Sequence, residues 1–408
     1  MRNQYRLQWL GLLLVAALCL TFAVTTRADT DVIRIGAVAP LSSPGSYQQG
    51  KELLLGLQWA VDDMNAAGGL LGKKIKLFVE DTQGKPPVGA TAVEKLITKN
   101  KVVGIAGEYH SSVCNAEIEV FHRYGIPFVI GSCWFDGLTA KGYPEVFRTS
   151  VYNSKQAENV VGIIKEGGFK KVAALVEDTD YGIGIAENIK TIMQRTGSTA
   201  TFQSVVVEKT NKDFVPILLK YKSRVKPDLL ITAVTQPGGF LVLKQAHEIG
   251  FAPSKNTAVI DATCTAQNDK IFWPAVKGAG KYVMMTCPYS SSVRVTKLGE
   301  DIKNRYVKKH GRAPNYLPLQ GYDAMYTLLT AIKQAGTTDS KKIISALNNI
   351  KLMGTRGEIQ FSSETGVWHN QWKEVPAFVF QYTETNQSAD DARILFPLSF
   401  ATGSIARP

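Results

Sequence analysis

The chain has 408 residues, with 47 Lys and Arg against 35 Asp and Glu for a formal charge of +12, and 45% of it is hydrophobic. That length allows two or three domains of ordinary size. The basic residues are scattered among acids, which argues against a nucleic-acid partner, and nothing after residue 28 is long and apolar enough to span a membrane.

Residues 1–28 read as a secretory signal peptide: Arg2 and Arg6, an uncharged apolar run over 9–24, then Thr26-Arg27-Ala28. The run falls short of the roughly 20 residues that a spanning helix needs. Cys19 follows Leu18, where a lipoprotein signal wants a small residue, so it leaves with the leader. Cleavage near Asp29 removes three arginines and no acid, which leaves a formal +9. Four cysteines remain, Cys114, Cys133, Cys264 and Cys287, which permits two disulfides in any of three connectivities in an oxidising compartment. No CxxC or CxxH spacing is present, so neither a metal nor a cofactor is expected.

From residue 29 short β runs alternate with helical ones, the pattern of a doubly wound α/β sheet. Strand 32–38, loop 39–46 and helix 49–67 open the series; Leu53, Leu54, Leu57, Ala60 and Met64 share one helix face, and Gly68-Gly69 stops it. Strand 74–80, helix 87–99, strand 102–106, helix 112–124 and strand 127–130 follow, with a break near residue 150. A second series comprises helix 154–167, strand 171–177, helix 181–196, strand 201–207, helix 213–223, strand 229–233, helix 238–250, and strands 258–261 and 281–286. Helical segments 292–309, 317–335 and 341–349 are too little for a third α/β domain, so the chain is expected to return to the first lobe before strands 357–361 and 377–382. The expected division is lobe 1 at 29–150 plus about 288–355, lobe 2 at 151–287 plus about 356–385, and a C-terminal tail at 386–408. Several crossovers between two α/β lobes make a hinge, with a cleft at the C-terminal ends of the strands.

One junction stands out chemically. Gly107-Glu108-Tyr109-His110-Ser111-Ser112 joins the strand 102–106 to the helix 112–124. A helix N-terminus presents unpaired N–H groups and the positive end of the dipole, and two hydroxyls add neutral donors. A carboxylate fits there without a basic side chain; the plainer alternative is an ordinary N-cap.

Segments in order along nearly the whole mature chain resemble one family. They are Ile33-Arg34-Ile35-Gly36 through Pro40-Leu41-Ser42-Ser43-Pro44-Gly45, Asn65-Ala66-Ala67-Gly68-Gly69-Leu70-Leu71-Gly72-Lys73-Lys74, Glu80-Asp81, Gly107 to Ser112 and Gly125-Ile126-Pro127. The series continues in Leu138-Thr139-Ala140-Lys141-Gly142-Tyr143-Pro144, Phe147-Arg148-Thr149, Asp180-Tyr181-Gly182 and Gly321-Tyr322-Asp323-Ala324. The chain resembles the type I periplasmic solute-binding proteins of ABC importers, the leucine/isoleucine/valine-binding class. The resemblance implies two lobes that close on a small solute in the periplasm and present it to a membrane permease and its ATPase, acting as a monomer. It places the carboxylate-binding serine at Ser111 beside Ser112, further ligand contacts at Cys133-Trp134-Phe135, an aromatic lid at Tyr181, cleft residues at Thr235 and Gln236, and an acid for a ligand ammonium at Asp261. Ser43 and Tyr47 fall on the rim.

Departures bear on specificity. Trp134, with Tyr47, Tyr109, Tyr181 and Trp273, offers stacking or cation–π contacts worth roughly 0.5–2 kcal/mol each; the plainer reading packs Trp134 in the lobe wall and Tyr109 in the core. The small first-lobe disulfide usual in the family is expected to be absent, since Gln83 and His110 stand near its places, and Cys264–Cys287 is a candidate replacement. A Cys/His hydrolase built on His110, Cys114 and Asp136 is disfavoured because no G-x-S-x-G elbow is present. A sensor subunit for a membrane receptor is the remaining alternative to transport.

Overall fold

In the computed structural model, which describes residues 32–293 and 295–408, the chain forms two α/β lobes. The expected leader and Cys19 lie outside the described residues. The first lobe carries β1 (Val32–Ala39), β2 (Lys74–Asp81), β3 (Ile105–Gly107), β4 (Phe128–Ile130) and β5 (Val146–Arg148), all parallel in the order β2-β1-β3-β4-β5. The second is built on β6 (Lys171–Glu177), β7 (Thr201–Val207), β8 (Leu229–Ala233), β9 (Ala258–Asp261) and β10 (Met284–Cys287). A small antiparallel ribbon joins β11 (Lys351–Met353) to β12 (Glu358–Gln360). Then β13 (Phe378–Gln381) and β14 (Arg393–Phe396) complete the second sheet, ordered β14-β13-β10-β9-β8-β6-β7, with both added strands antiparallel.

The strands explain which expectations were readable. β3, β4 and β8 are apolar and buried along their length, as strands covered on both faces must be. β5 has three residues, Val-Phe-Arg, too few for any period, and no strand is expected between residue 130 and the helix at 154–167. Residues 393–396, expected in a tail, form β14 instead, because Ile394 and Leu395 bury against the second lobe. The strand expected at 357–361 pairs with β11 in a local ribbon outside both sheets, with one further bridge from Phe361 to Trp372.

The late helices return to the first lobe through close backbone contact. Helix Tyr316–Ala335 packs on helix Tyr47–Ala66 at two glycines. A Cβ on Gly56 would lie 2.0 Å from the Pro318 carbonyl oxygen, and one on Gly321 would lie 2.2 Å from that of Leu53. Helix Lys297–His310 joins the same lobe: Tyr306 donates to Glu52, and Arg305 pairs with Asp63.

Three connections between lobes meet in a buried polar knot. Asp323, on helix Tyr316–Ala335, accepts from Thr355 N at 2.6 Å and Arg356 Nε at 3.0 Å, while Arg356 Nη2 donates to Thr149 O at 3.0 Å, just beyond β5. Beside it the fully buried Arg148 donates to Gln371 Oε1 and, at 2.7 Å, to Phe135 O. Thr296 Oγ1, on the connection out of β10, donates to Gly354 O at 2.7 Å.

Both disulfide questions left open by the sequence have answers here: Cys114 bonds Cys133 and Cys264 bonds Cys287. The first lobe therefore does carry a disulfide, at other positions than the family's usual ones. Among the described residues no helix is long and apolar enough to cross a membrane.

Gly321→Ala would drive its new methyl into backbone that cannot rotate aside. The expected loss is about 1–3 kcal/mol, despite alanine's advantage of roughly 1 kcal/mol within a helix. Urea unfolding reads it as a lowered midpoint; an unchanged midpoint would show that the two helices separate freely.

Candidate functional site

A cavity of about 280 Å³ lies between the lobes. Its walls come from segments just past strand ends: Tyr109, His110, Ser111 and Ser112 after β3, Ser132 and Trp134 after β4, Glu177, Asp178, Thr179 and Tyr181 at and after β6, Lys209 after β7, Thr235 after β8 and Thr263 after β9. This is the topological position at which open α/β sheets bind ligands. Tyr316, at the start of its helix, closes one side.

The junction after β3 is shaped by Gly107. Its φ is 141°, and a Cβ there would fall 2.2 Å from the Val38 carbonyl oxygen, so only glycine lets the chain turn into the helix Ser111–Tyr124. The Val113 and Cys114 amides donate to the His110 carbonyl. The Ser111 and Ser112 amides head the helix, where N–H groups have no partner within it. Ser111 Oγ accepts from Trp134 N at 3.1 Å and Phe135 N at 3.2 Å. With both lone pairs taken, its O–H proton is left to donate. The sequence offers Ser111 as a ligand group or a cap; in the structure it anchors the loop carrying Trp134.

The aromatic residues divide. Tyr109, Trp134, Tyr181 and Tyr316 line the cavity, with Trp134 edge-on to Tyr181 at 5.9 Å between centroids and tilted to Tyr316 at 5.7 Å. Tyr181 donates to Ala262 O at 2.7 Å and Tyr316 to the Tyr109 phenol, and burial pushes all three phenols up. Tyr47 is instead exposed under Lys51 Nζ, and Trp273 packs on Phe272 and Tyr382. Two polar atoms of the cavity residues, Ser132 Oγ and Trp134 Nε1, are buried without a partner.

Other expected residues sit beside the cavity. Ser43 is exposed. Cys133 is buried in its disulfide, and the Phe135 ring packs against Gly137 and Gly184. Gln236 accepts from Gln49 Nε2 at 2.6 Å, across the cleft. Asp261 is spent on its own turn, accepting from Thr263 N, Thr263 Oγ1, Thr265 Oγ1 and Ala266 N, and burial raises its pKa against those bonds. The imagined hydrolase is not assembled: Cys114 has no free thiol, and Asp136 accepts from Asn188 and Ser154.

Two acids line the cavity, Glu177 and Asp178, and Glu177 is the buried one. It accepts from Thr235 N at 2.8 Å, Thr235 Oγ1 at 2.6 Å and Thr179 Oγ1 at 2.8 Å. His110, Ser132, Glu177, Asp178, Thr179, Lys209, Thr263 and Tyr316 were not among the expected ligand contacts. Their place within three residues of a strand's end was a usable signal for all but Tyr316, which a distant helix brings in. The lobes touch across the cleft: Ser112 Oγ accepts from Asp180 N at 3.1 Å and Lys209 Nζ lies 3.1 Å from His110 Nδ1. Among the described residues no cluster of three or more His, Cys, Asp or Glu is arranged to hold a metal.

The family model described as periplasmic binding protein matches residues 32–384. The chain belongs to the periplasmic binding protein family. The Leu/Ile/Val-binding protein BraC3 of Rhizobium johnstonii is 28% identical over 362 residues, spanning 86% of this chain and 93% of its own. The branched-chain amino acid transporter substrate-binding protein LivJ of Streptococcus pneumoniae, solved with isoleucine, superposes with a TM-score of 0.76 at 22% identity, covering 89% of this chain and 99% of its own. An ABC-transporter solute-binding protein of Rhodopseudomonas palustris BisB5, solved with 3,4-dihydroxybenzoic acid, gives 0.73 at 22%, covering 86% and 93%. This periplasmic binding protein thus shares the two-lobed fold of both.

Under the first lobe's helix lies a titratable pair. Glu117 is fully buried with neither oxygen partnered, and Glu108 accepts from Thr82 Oγ1 and His110 N. Burial, then the neighbouring Glu108, raises Glu117 well above the ordinary carboxylate range, and burial lifts Glu108 to about 7. An acid whose folded pKa exceeds its unfolded value holds more protons when folded, so stability falls as pH rises from the unfolded pKa toward the folded one. Glu117→Gln is expected to raise the melting temperature at pH 8 and to lose that advantage by pH 5. Equal shifts at both pH values would show that Glu117 does not titrate in this window.

Proposed function

We propose that this protein is the solute-capturing component of an ABC importer. In the periplasm, after export through a cleaved leader, it takes up an amino acid, amide or related small polar solute between its closing lobes and delivers it to the permease and ATPase. The observation that carries this reading is the small cavity between lobes that already touch, headed by the helix N-terminus at Ser111 and walled by Tyr109, Trp134, Tyr181 and Tyr316. A carboxylate or comparable anionic end docks on the Ser111 and Ser112 amides and the Ser111 hydroxyl. The body of the solute lies among the aromatic rings, and the buried donor Trp134 Nε1 favours an acceptor on it. Two relatives bracket the chemistry, one solved with isoleucine and one with an aromatic acid. Contacts from both lobes form together only on closure, so binding and closing are coupled through differential affinity.

A thermal-shift screen of leucine, isoleucine, benzoate and 4-hydroxybenzoate tests the reading, since a true ligand at a hundred times its Kd adds about 2.7 kcal/mol. For a carboxylate that binds, Ser111→Ala should weaken affinity by about 1–3 kcal/mol in calorimetry. An unchanged Kd would leave Ser111 as the anchor of the Trp134 loop alone.

A further inference from the structure

Lys209 and His110 reach the cavity from opposite lobes, and their geometry is incomplete as it stands. Lys209 Nζ lies 3.1 Å from His110 Nδ1 and, among the described residues, makes no other hydrogen bond or ion pair. At the far side of the ring, His110 Nε2 accepts from the Ser46 backbone N–H at 3.1 Å. A backbone amide only donates, so Nε2 is the bare nitrogen of a neutral imidazole and Nδ1 carries the hydrogen. Burial, and then Lys209, holds His110 well below its ordinary pKa, in agreement with the neutral ring.

The N–H at Nδ1 therefore faces an ammonium, and neither can accept from the other. The acids around Lys209 do not relieve this. Glu177 gives its oxygens to Thr235 and Thr179, Asp178 Oδ1 accepts from the Lys209 backbone amide at 2.7 Å, and Glu108 accepts from Thr82 and His110 N. Burial lowers the Lys209 pKa, and the charges of Glu177, Glu108 and Asp178 oppose that lowering without taking a hydrogen bond from its Nζ. One strong acceptor placed inside the cavity that both residues line would serve both donors at once.

We infer that Lys209 and His110 form an anion clamp across the cleft, and that the solute is an acid whose charged oxygen is shared between Lys209 Nζ and His110 Nδ1–H. The inference rests on the solute-receptor reading and narrows it from small polar solutes in general to acids. Because each lobe supplies one donor, the clamp exists only with the lobes together, so the same oxygen that is recognised also holds the cleft shut.

The test uses acid and amide partners of one shape, 4-hydroxybenzoate with 4-hydroxybenzamide and leucine with leucinamide, titrated calorimetrically into the mature chain. In at least one pair the acid should bind tighter by about tenfold or more, and Lys209→Met should weaken that acid about 10- to 100-fold while moving its amide by less than about threefold. Lys209→Gln, a neutral donor, should fall between, and the melting point of each ligand-free variant checks that it is folded. Acid and amide binding alike, or an equal loss for both in Lys209→Met, overturns the clamp while leaving the receptor reading in place. If none of the four compounds binds, the small-carboxylate reading falls and the clamp with it.

Discussion

The buried Asp323–Arg356 pair, with Arg356 reaching on to Thr149, ties together segments that enter the lobe junction from three distant parts of the chain. Burial raises Asp323 and lowers Arg356, each opposed by the other's charge, so neither is tolerable alone. Removing one partner of such a pair leaves an uncompensated buried charge, generally a loss of about 3–5 kcal/mol. The knot lies where the lobes are joined, on segments from both sides of that junction.

Everything at the cleft depends on this arrangement. The parallel strands deliver loops and helix starts to one place, and the lobes contribute different chemistry there. The first supplies the helix N-terminus at Ser111 and the Trp134 loop pinned to it, with Cys114–Cys133 fixing the loop to the same helix. The second supplies Tyr181, Glu177 and Lys209. Glu177 and Asp261 spend their oxygens on hydroxyls and amides of neighbouring turns, so these acids act first as turn-builders. Lys209 has no such local use, and its place in the wall is best understood through what enters the cavity.

Most of the fold was legible because long, regular segments carry a period. The helices at 47–66 and 316–335 and the strands at 32–39 and 171–177 were found within a few residues of their ends. β5 and β14, three and four residues long, carry no such pattern, and only pairing with neighbouring strands defines them. The site divides similarly. Tyr109, Ser111, Ser112, Trp134, Tyr181 and Thr235 were anticipated from the junction or the resemblance and line the cavity, whereas Tyr47, Phe135 and Asp261 follow the same logic and do not.

The sequence by itself determined the alternation of strands and helices, the apolar faces that make two lobes, and the chemistry of the Gly107–Ser112 junction, since these depend on residues close together in the chain. Tertiary structure decided the rest: which cysteines pair, that Ser111 anchors the Trp134 loop, and that His110 meets Lys209 across 99 positions. Those outcomes depend on how strands order themselves within each sheet and how far the lobes approach. Neither leaves a local period for the sequence to display.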